Sequence, residues 1–154
     1  VRQYKKLKME VHAEAIDGTP DLSRELTERG HKQARKMAQW LSENRPKRLR
    51  TLVSPSTRTR QTASAFTDNF EIVPALAPDM GVPDLLAATG WPEGRGAALL
   101  VGHQPTLGRL AALLLSGSEA DWTIKKGALW WFSNRVRDGE TQTVLRAVIA
   151  PDLL

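Results

Sequence analysis

Residues 97–101 read AALLV, five apolar residues with no polar alternation. A strand with one wet face alternates. A strand that is apolar throughout must be covered on both faces, the situation of a parallel sheet between helical layers. Gly102 ends the run and His103 follows. Pro105 then suits the first position of a helix, where its missing N–H costs nothing. Leu107, Leu110, Ala111 and Leu114 recur at helical spacing behind it, and Gly117 can stop the helix in a left-handed conformation. A buried strand, a histidine and a helix thus stand in immediate succession, which is half of a parallel β-α-β unit.

The same alternation runs along the chain. Leu7, Met9 and Val11 predict a strand over 7–11 by weak period-two spacing. Thr27 can cap a helix whose buried stripe is Ala34, Met37, Ala38 and Leu41, and Asn44 with Pro46 ends it. A strand is predicted over 49–53, a helix over 57–67 and a short strand over 71–73. Residues 74–96 form a long connection with Gly81, Gly90, Gly94 and Gly96, and a short helix is expected over 83–88. Strands over 128–133 and 143–149 are expected to form a hairpin around Asp138-Gly139. Strands alternating with helices predict a three-layer α/β/α sandwich with a mainly parallel sheet. At 154 residues the chain has single-domain length, and one domain over 1–154 is expected.

Composition excludes several classes. The chain has no Cys, so disulfides, thiolate nucleophiles and zinc-cysteine sites are out. No apolar run reaches the ~18 residues of a membrane span, and the basic N-terminal stretch has no apolar leader core. A cytoplasmic, non-membrane protein is the expectation, with a monomer the simplest state. Charge is uneven: residues 1–60 carry +8 and the remainder −3. Such a basic half favours anionic partners. Nucleic acid is disfavoured because aromatics are not interleaved with the basic residues as a stacking platform requires. A phosphorylated ligand is the other candidate, beside a basic face that is simply solvated.

In open α/β sheets, ligands bind beyond the carboxyl ends of the strands. His12 follows the first predicted strand. SPSTR, with Arg58, follows the second. Gly102-His103 follows the fourth. Two of the three histidines and one arginine are therefore expected on one rim. His31, in the first turn of a basic helix, reads as a surface residue.

These residues lie within a longer ordered set: HAEA at 12–15, LTERGHKQA at 26–34, SPSTRTRQTA at 54–63, VGHQPTLG at 101–108 and KKGALWW at 125–131. Together they resemble the histidine phosphatase superfamily, with its phosphoglycerate mutase-like fold, and most closely its small SixA-like phosphohistidine phosphatases. The resemblance runs from about Leu7 to the C-terminal PDLL. It implies that His12 is the nucleophile, that His103 is the second histidine and that Arg58 grips phosphate. Arg24 stands where the family often has another basic residue. Glu14 and Gly102 join the expected edge of the pocket. The chemistry suits these types. A neutral imidazole can carry a phosphoryl group covalently, a guanidinium matches phosphate oxygens, and a protonated His103 would stabilise their charge. No metal or other cofactor is implied.

One departure stands out. The family has arginine before the nucleophile, and this chain has Val11. The strand before it carries Lys8 and Glu10, which suits burial on two faces poorly. Arg24, Lys8 or Arg2 could replace the missing charge. Glu14, Asp17 and Asp79 are possible proton donors but read as loop carboxylates. The chain leaves no length for a cap over the pocket, so a phosphorylated protein carrying phosphohistidine is the favoured partner. A small phosphomonoester or a phosphoserine-type protein, and a phospho-ligand-binding module with weak or no turnover, remain the alternatives.

Overall fold

The computed structural model describes residues 4–91 and 96–154, so Arg2 and Gly94 lie outside it. In chain order the elements are β1 (Tyr4–Val11), α1 (Glu28–Asn44), β2 (Arg50–Val53), α2 (Thr57–Ser64), β3 (Glu71–Ile72), α3 (Val82–Thr89), β4 (Gly96–Gly102), α4 (Thr106–Ser116), β5 (Leu129–Arg137) and β6 (Glu140–Ile149). Single 3-10 turns occupy Asp21–Ser23, Pro74–Leu76 and Pro151–Leu153.

Six strands form one sheet in the order β3-β2-β4-β1-β5-β6. The first four run parallel, and β5 and β6 add an antiparallel edge. The two faces are covered differently. Leu7, Met9 and Val11 of β1 pack with Leu100, with Val82 and Leu85 of α3, and with Leu107, Leu110 and Ala111 of α4. On the other face Leu99 and Val101 pack with Met37 and Leu41 of α1 and Ala63 of α2. The alternation of β4 thus feeds two cores, which is why its sequence is apolar throughout.

Local chemistry sets the element ends. Thr27 accepts a hydrogen bond from the Gly30 amide and caps α1, and Ser56 does the same for α2 through Thr59. Gly117 closes α4 at φ 84°. Asp138 and Gly139, at φ 53° and 78°, make the two-residue hairpin turn. Pro105 is the cap of α4 rather than its first residue. β5 and β6 extend well beyond the apolar segments expected from sequence, because hairpin pairing continues past the covered part of the sheet.

β1 is central, lying between β4 and β5, and it buries its charges. Lys8 is 0% and Glu10 4% exposed. Both face the α1/α2 side by strand alternation. The Lys8 ammonium lies 4.0 Å from the centroid of the Trp131 ring, its cross-strand neighbour. Among the described residues it has no hydrogen-bond partner. Burial pulls its pKa down to about 8, helped by the charges of Lys6 and Arg45, and burial pushes Glu10 up to about 8. Among the described residues, no helix is long and apolar enough to cross a membrane.

Candidate active site

Three adjacent parallel strands deliver their next residues to one place. The His12 amide donates to the Gly102 carbonyl at 3.1 Å, and the Ser54 amide donates to the Val101 carbonyl at 3.0 Å. These bonds continue the ladder one step past the regular strands. They bring the His12, Ser54 and His103 segments together. The ring centroids of His12 and His103 are 5.3 Å apart. Arg58, in the first turn of α2, places Nη2 3.3 Å from His103 Nδ1. The three residues expected on one rim are therefore neighbours.

Hydrogen bonding assigns the tautomers. His12 Nδ1 lies 2.8 Å from the Ala13 carbonyl, so Nδ1 carries the proton and Nε2 keeps its lone pair. His103 Nδ1 faces an arginine, which can only donate. Nδ1 therefore accepts, and Nε2–H donates to Ser54 Oγ at 2.7 Å. Burial, joined by the charges of Arg58, Lys126 and Arg24, overrides the Ala13 hydrogen bond and lowers His12 to about 4. Burial, then Arg58 and His12, lower His103 to about 3 against the opposing charge of Asp21. Both rings are neutral at physiological pH. For His12 that is the nucleophilic form. For His103 it revises the expected protonated role: in the anion-free site the ring is an acceptor to Arg58, and only an arriving negative charge would favour a second proton.

Arg58 is 3% exposed. Its Nη1 donates to the Asp21 carbonyl at 2.8 Å and its Nη2 to Asp21 Oδ2 at 3.0 Å. Its buried Nε has no hydrogen-bond partner among the described residues. Asp21 also accepts from Arg24 Nε at 3.0 Å, and Arg24 Nη1 donates to the Ile16 carbonyl at 3.0 Å. Slight burial would raise the Asp21 pKa, but the hydrogen bonds from Arg58 and Arg24 hold it below its ordinary value. A carboxylate thus occupies one edge of the guanidinium fork expected to grip phosphate.

The remaining expected residues divide. Gly102 is the last residue of β4 and pairs with Val11. Arg24 is near enough for its charge to depress both histidines. The Glu14 carboxylate accepts from the Thr27 hydroxyl at 2.9 Å and lies 3.6 Å from Arg29, so it is tied to the start of α1. Lys8 is spent on Trp131 and supplies no charge to the site. Val11 is 1% exposed and belongs to the apolar cluster with Leu107 and Ala128. His31 is partly exposed in α1.

Four contributors escaped the sequence reading. Ser54 follows a parallel strand, so the rim rule that found His12 applies to it equally. Thr62 accepts from the Ala13 amide at 3.1 Å and donates to the Arg58 carbonyl at 2.8 Å, linking the two loops. Asp21 had no local signal. Lys126 precedes Gly127, whose amide donates to both the Val11 and His12 carbonyls at 3.0 Å. The His12 loop is also clamped by α1: a Cβ on Gly30 would lie 2.0 Å from the Glu14 carbonyl oxygen. Only glycine permits that approach.

Two neutral imidazoles and a buried guanidinium stand together at the carboxyl edge of a three-layer α/β sheet, a set of groups whose chemistry suits an oxyanion. The profile of the histidine phosphatase superfamily (branch 1) matches residues 10–80. Over 111 residues the chain is 33% identical to the phosphohistidine phosphatase SixA of Escherichia coli K12, covering 67% of this chain and 69% of that protein. It belongs to the histidine phosphatase superfamily and is a phosphatase of the SixA-like kind. Its fold is similar to that of a protein histidine phosphatase SixA solved with tungstate, with TM-score 0.80, 26% identity, and 96% and 98% of the two chains covered. A protein assigned as SixA from Nakamurella multipartitia shares the fold with TM-score 0.77 at 24% identity, covering 96% of each chain.

Proposed function

We propose that this chain removes the phosphoryl group from phosphohistidine on a protein, through a phosphoenzyme formed on His12. The observation that carries the reading is the His12 ring, held by Ala13 through Nδ1 so that Nε2 keeps its lone pair, and set beside His103 and Arg58. The Nε2 lone pair attacks phosphorus, and the phosphorus–nitrogen bond of the substrate breaks. The departing imidazole takes a proton from solvent, which makes it a good leaving group. Water then attacks phospho-His12, the bond to Nε2 breaks, and inorganic phosphate leaves. One difficult displacement becomes two easier ones.

Arg58 supports both steps by pairing with the equatorial oxygens, where charge builds up. A phosphate dianion raises the proton affinity of His103. Once protonated, Nδ1 turns from acceptor to donor and releases Arg58 Nη2 toward the phosphoryl group. The tungstate complex of the related SixA supports an oxyanion site in this fold. Val11 removes one forked donor from the family pattern, so turnover is expected to be slow.

Brief exposure to a labelled phosphodonor tests the reading. Wild type should retain an acid-labile, base-stable label, His12→Ala should lose it, and His31→Ala should keep it. Equal labelling of wild type and His12→Ala would overturn the proposal.

A further inference from the structure

Beside the His12 loop the structure carries a groove that the chemistry above does not use. Its floor is Gln33, Pro151 and the single carboxylate Asp152. One wall is the face of α1 that carries Arg29, Lys32 and Lys36, and the other is Lys125 and Lys126 in the segment before β5. All five cations are exposed. Two have acidic neighbours: Arg29 lies 3.6 Å from Glu14, and Lys125 lies 3.3 Å from Asp152. Among the described residues, Lys32, Lys36 and Lys126 have no ion-pair partner within 4.0 Å. Three unpaired like charges around one groove repel each other, a cost that an anionic occupant would remove.

The groove is continuous with the catalytic loop. Gln33 Oε1 accepts from the Glu14 amide at 3.0 Å, two residues after His12. Gly127, next to Lys126, donates to the His12 carbonyl. The charge of Lys126 reaches the His12 ring, where it helps to depress the pKa. From Arg29 to Lys36 the helix rises ~10 Å. A phosphate or a single phosphorylated amino acid seated on His12 cannot span that length, whereas a peptide can. Among the described residues no aromatic side chain lines the groove, so bases find no stacking surface on them.

We propose that this groove is the docking site for an acidic segment of the phosphoprotein, flanking the phosphorylated histidine. The proposal rests on the phosphohistidine reading and names the kind of protein served: one whose target histidine is followed or preceded by Asp and Glu residues. Opposite charge along an exposed groove speeds encounter and selects partners more than it adds raw affinity.

The test uses two labelled histidine peptides, one flanked by Asp and Glu and the other by Asn and Gln, with fluorescence anisotropy as the binding readout. The same peptides, phosphorylated with phosphoramidate, and free phosphohistidine serve as substrates. The acidic peptide should bind about 10-fold more tightly at low salt, an advantage equivalent to about 1.4 kcal/mol that fades as salt rises. Lys32→Glu/Lys36→Glu should abolish the preference and lower kcat/KM for the acidic phosphopeptide about 10-fold, while leaving free phosphohistidine turnover unchanged. Equal binding of the two peptides, or a preference that survives the double substitution, would overturn the groove assignment. So would displacement of the acidic peptide by an oligonucleotide at concentrations below the peptide's own Kd. Binding is read without turnover: an intact preference with no hydrolysis of free phosphohistidine would count against the catalytic reading alone.

Discussion

The carboxylate of Asp21 and the guanidinium of Arg58 are paired across the candidate pocket, with Nη2 to Oδ2 at 3.0 Å and Nη1 to the Asp21 carbonyl at 2.8 Å. A phosphate on Arg58 meets this carboxylate as a like-charged neighbour and a competitor for the same donors. Asp21→Asn keeps the shape and removes the charge. It should tighten inhibition by vanadate or phosphate about 3- to 10-fold, or about 0.7–1.4 kcal/mol. Weaker inhibition would mean that Asp21 serves to orient Arg58 rather than to oppose the anion.

Val11 offers a gain-of-function test. Its cross-strand neighbour is Gly102, and Leu107 fills the space beside that glycine, 3.5 Å from where a Cβ would stand. An arginine at position 11 would reach the phosphate by displacing part of the apolar contact with Leu107 and Ala128. Val11→Arg should raise kcat/KM about 10- to 1000-fold, equivalent to about 1.4–4 kcal/mol of transition-state stabilisation. Circular dichroism and the thermal midpoint would establish that the variant is folded. A flat rate in a folded variant would mean that another cation already fills the role.

The two histidines should titrate far below ordinary imidazole. With His12 near 4 and His103 near 3, both rings stay neutral down to about pH 5. Histidine ring resonances followed by NMR should show neither changing charge between pH 8 and 5. Adding tungstate should move His103 alone toward imidazolium, because the anion reverses the sign of the local field. A cationic ring at pH 6 in the anion-free protein would contradict this.

Lys8 should cost stability. Its folded pKa of about 8 lies below the ordinary 10.5, so below pH 8 the folded chain keeps a buried charge that the unfolded chain keeps in water. The penalty is on the order of 3 kcal/mol at pH 7 and disappears as pH rises from about 8 to 10.5. Lys8→Met should therefore stabilise the protein at pH 7, and the gain should shrink across that window. Urea denaturation at pH 7 and pH 10 would measure both values. An unchanged midpoint at pH 7 would mean that the Trp131 contact compensates fully.

Gly30→Ala should damage fold and function together. The added methyl would collide with the Glu14 carbonyl, a backbone group that cannot swing aside. A loss of about 2–4 kcal/mol is expected, comparable with forced overpacking of a core. Surviving protein should show reduced labelling at His12, two residues from the clash.

The legible parts of this chain were those set by neighbours in sequence. The uninterrupted apolarity of β4, the Thr27 cap and the Asp138-Gly139 turn each act within a few residues, and each marks its element directly. The rim rule then located His12, Arg58 and His103. What escaped depends on distant partners. Asp21 meets Arg58 across 37 residues of sequence. The burial of Lys8 is set by Trp131 and the helical layer, not by the alternation of β1. The protonation of His103 follows from enclosure, which no local pattern records.

The hydrogen bond from His103 to Ser54 spans a long stretch of the chain. It joins residues 49 positions apart, and Arg58 reaches the same ring across 45. His12 enters from the opposite end of the chain, through β1 pairing with β4. None of these strands is joined to the next by a hairpin, so no fragment of local structure can assemble the pocket. Parallel pairings of this range close late, after the entropy of large loops has been overcome. During refolding, helical signal should therefore recover before oxyanion binding does. In this molecule the return of anion binding marks the completion of the central sheet.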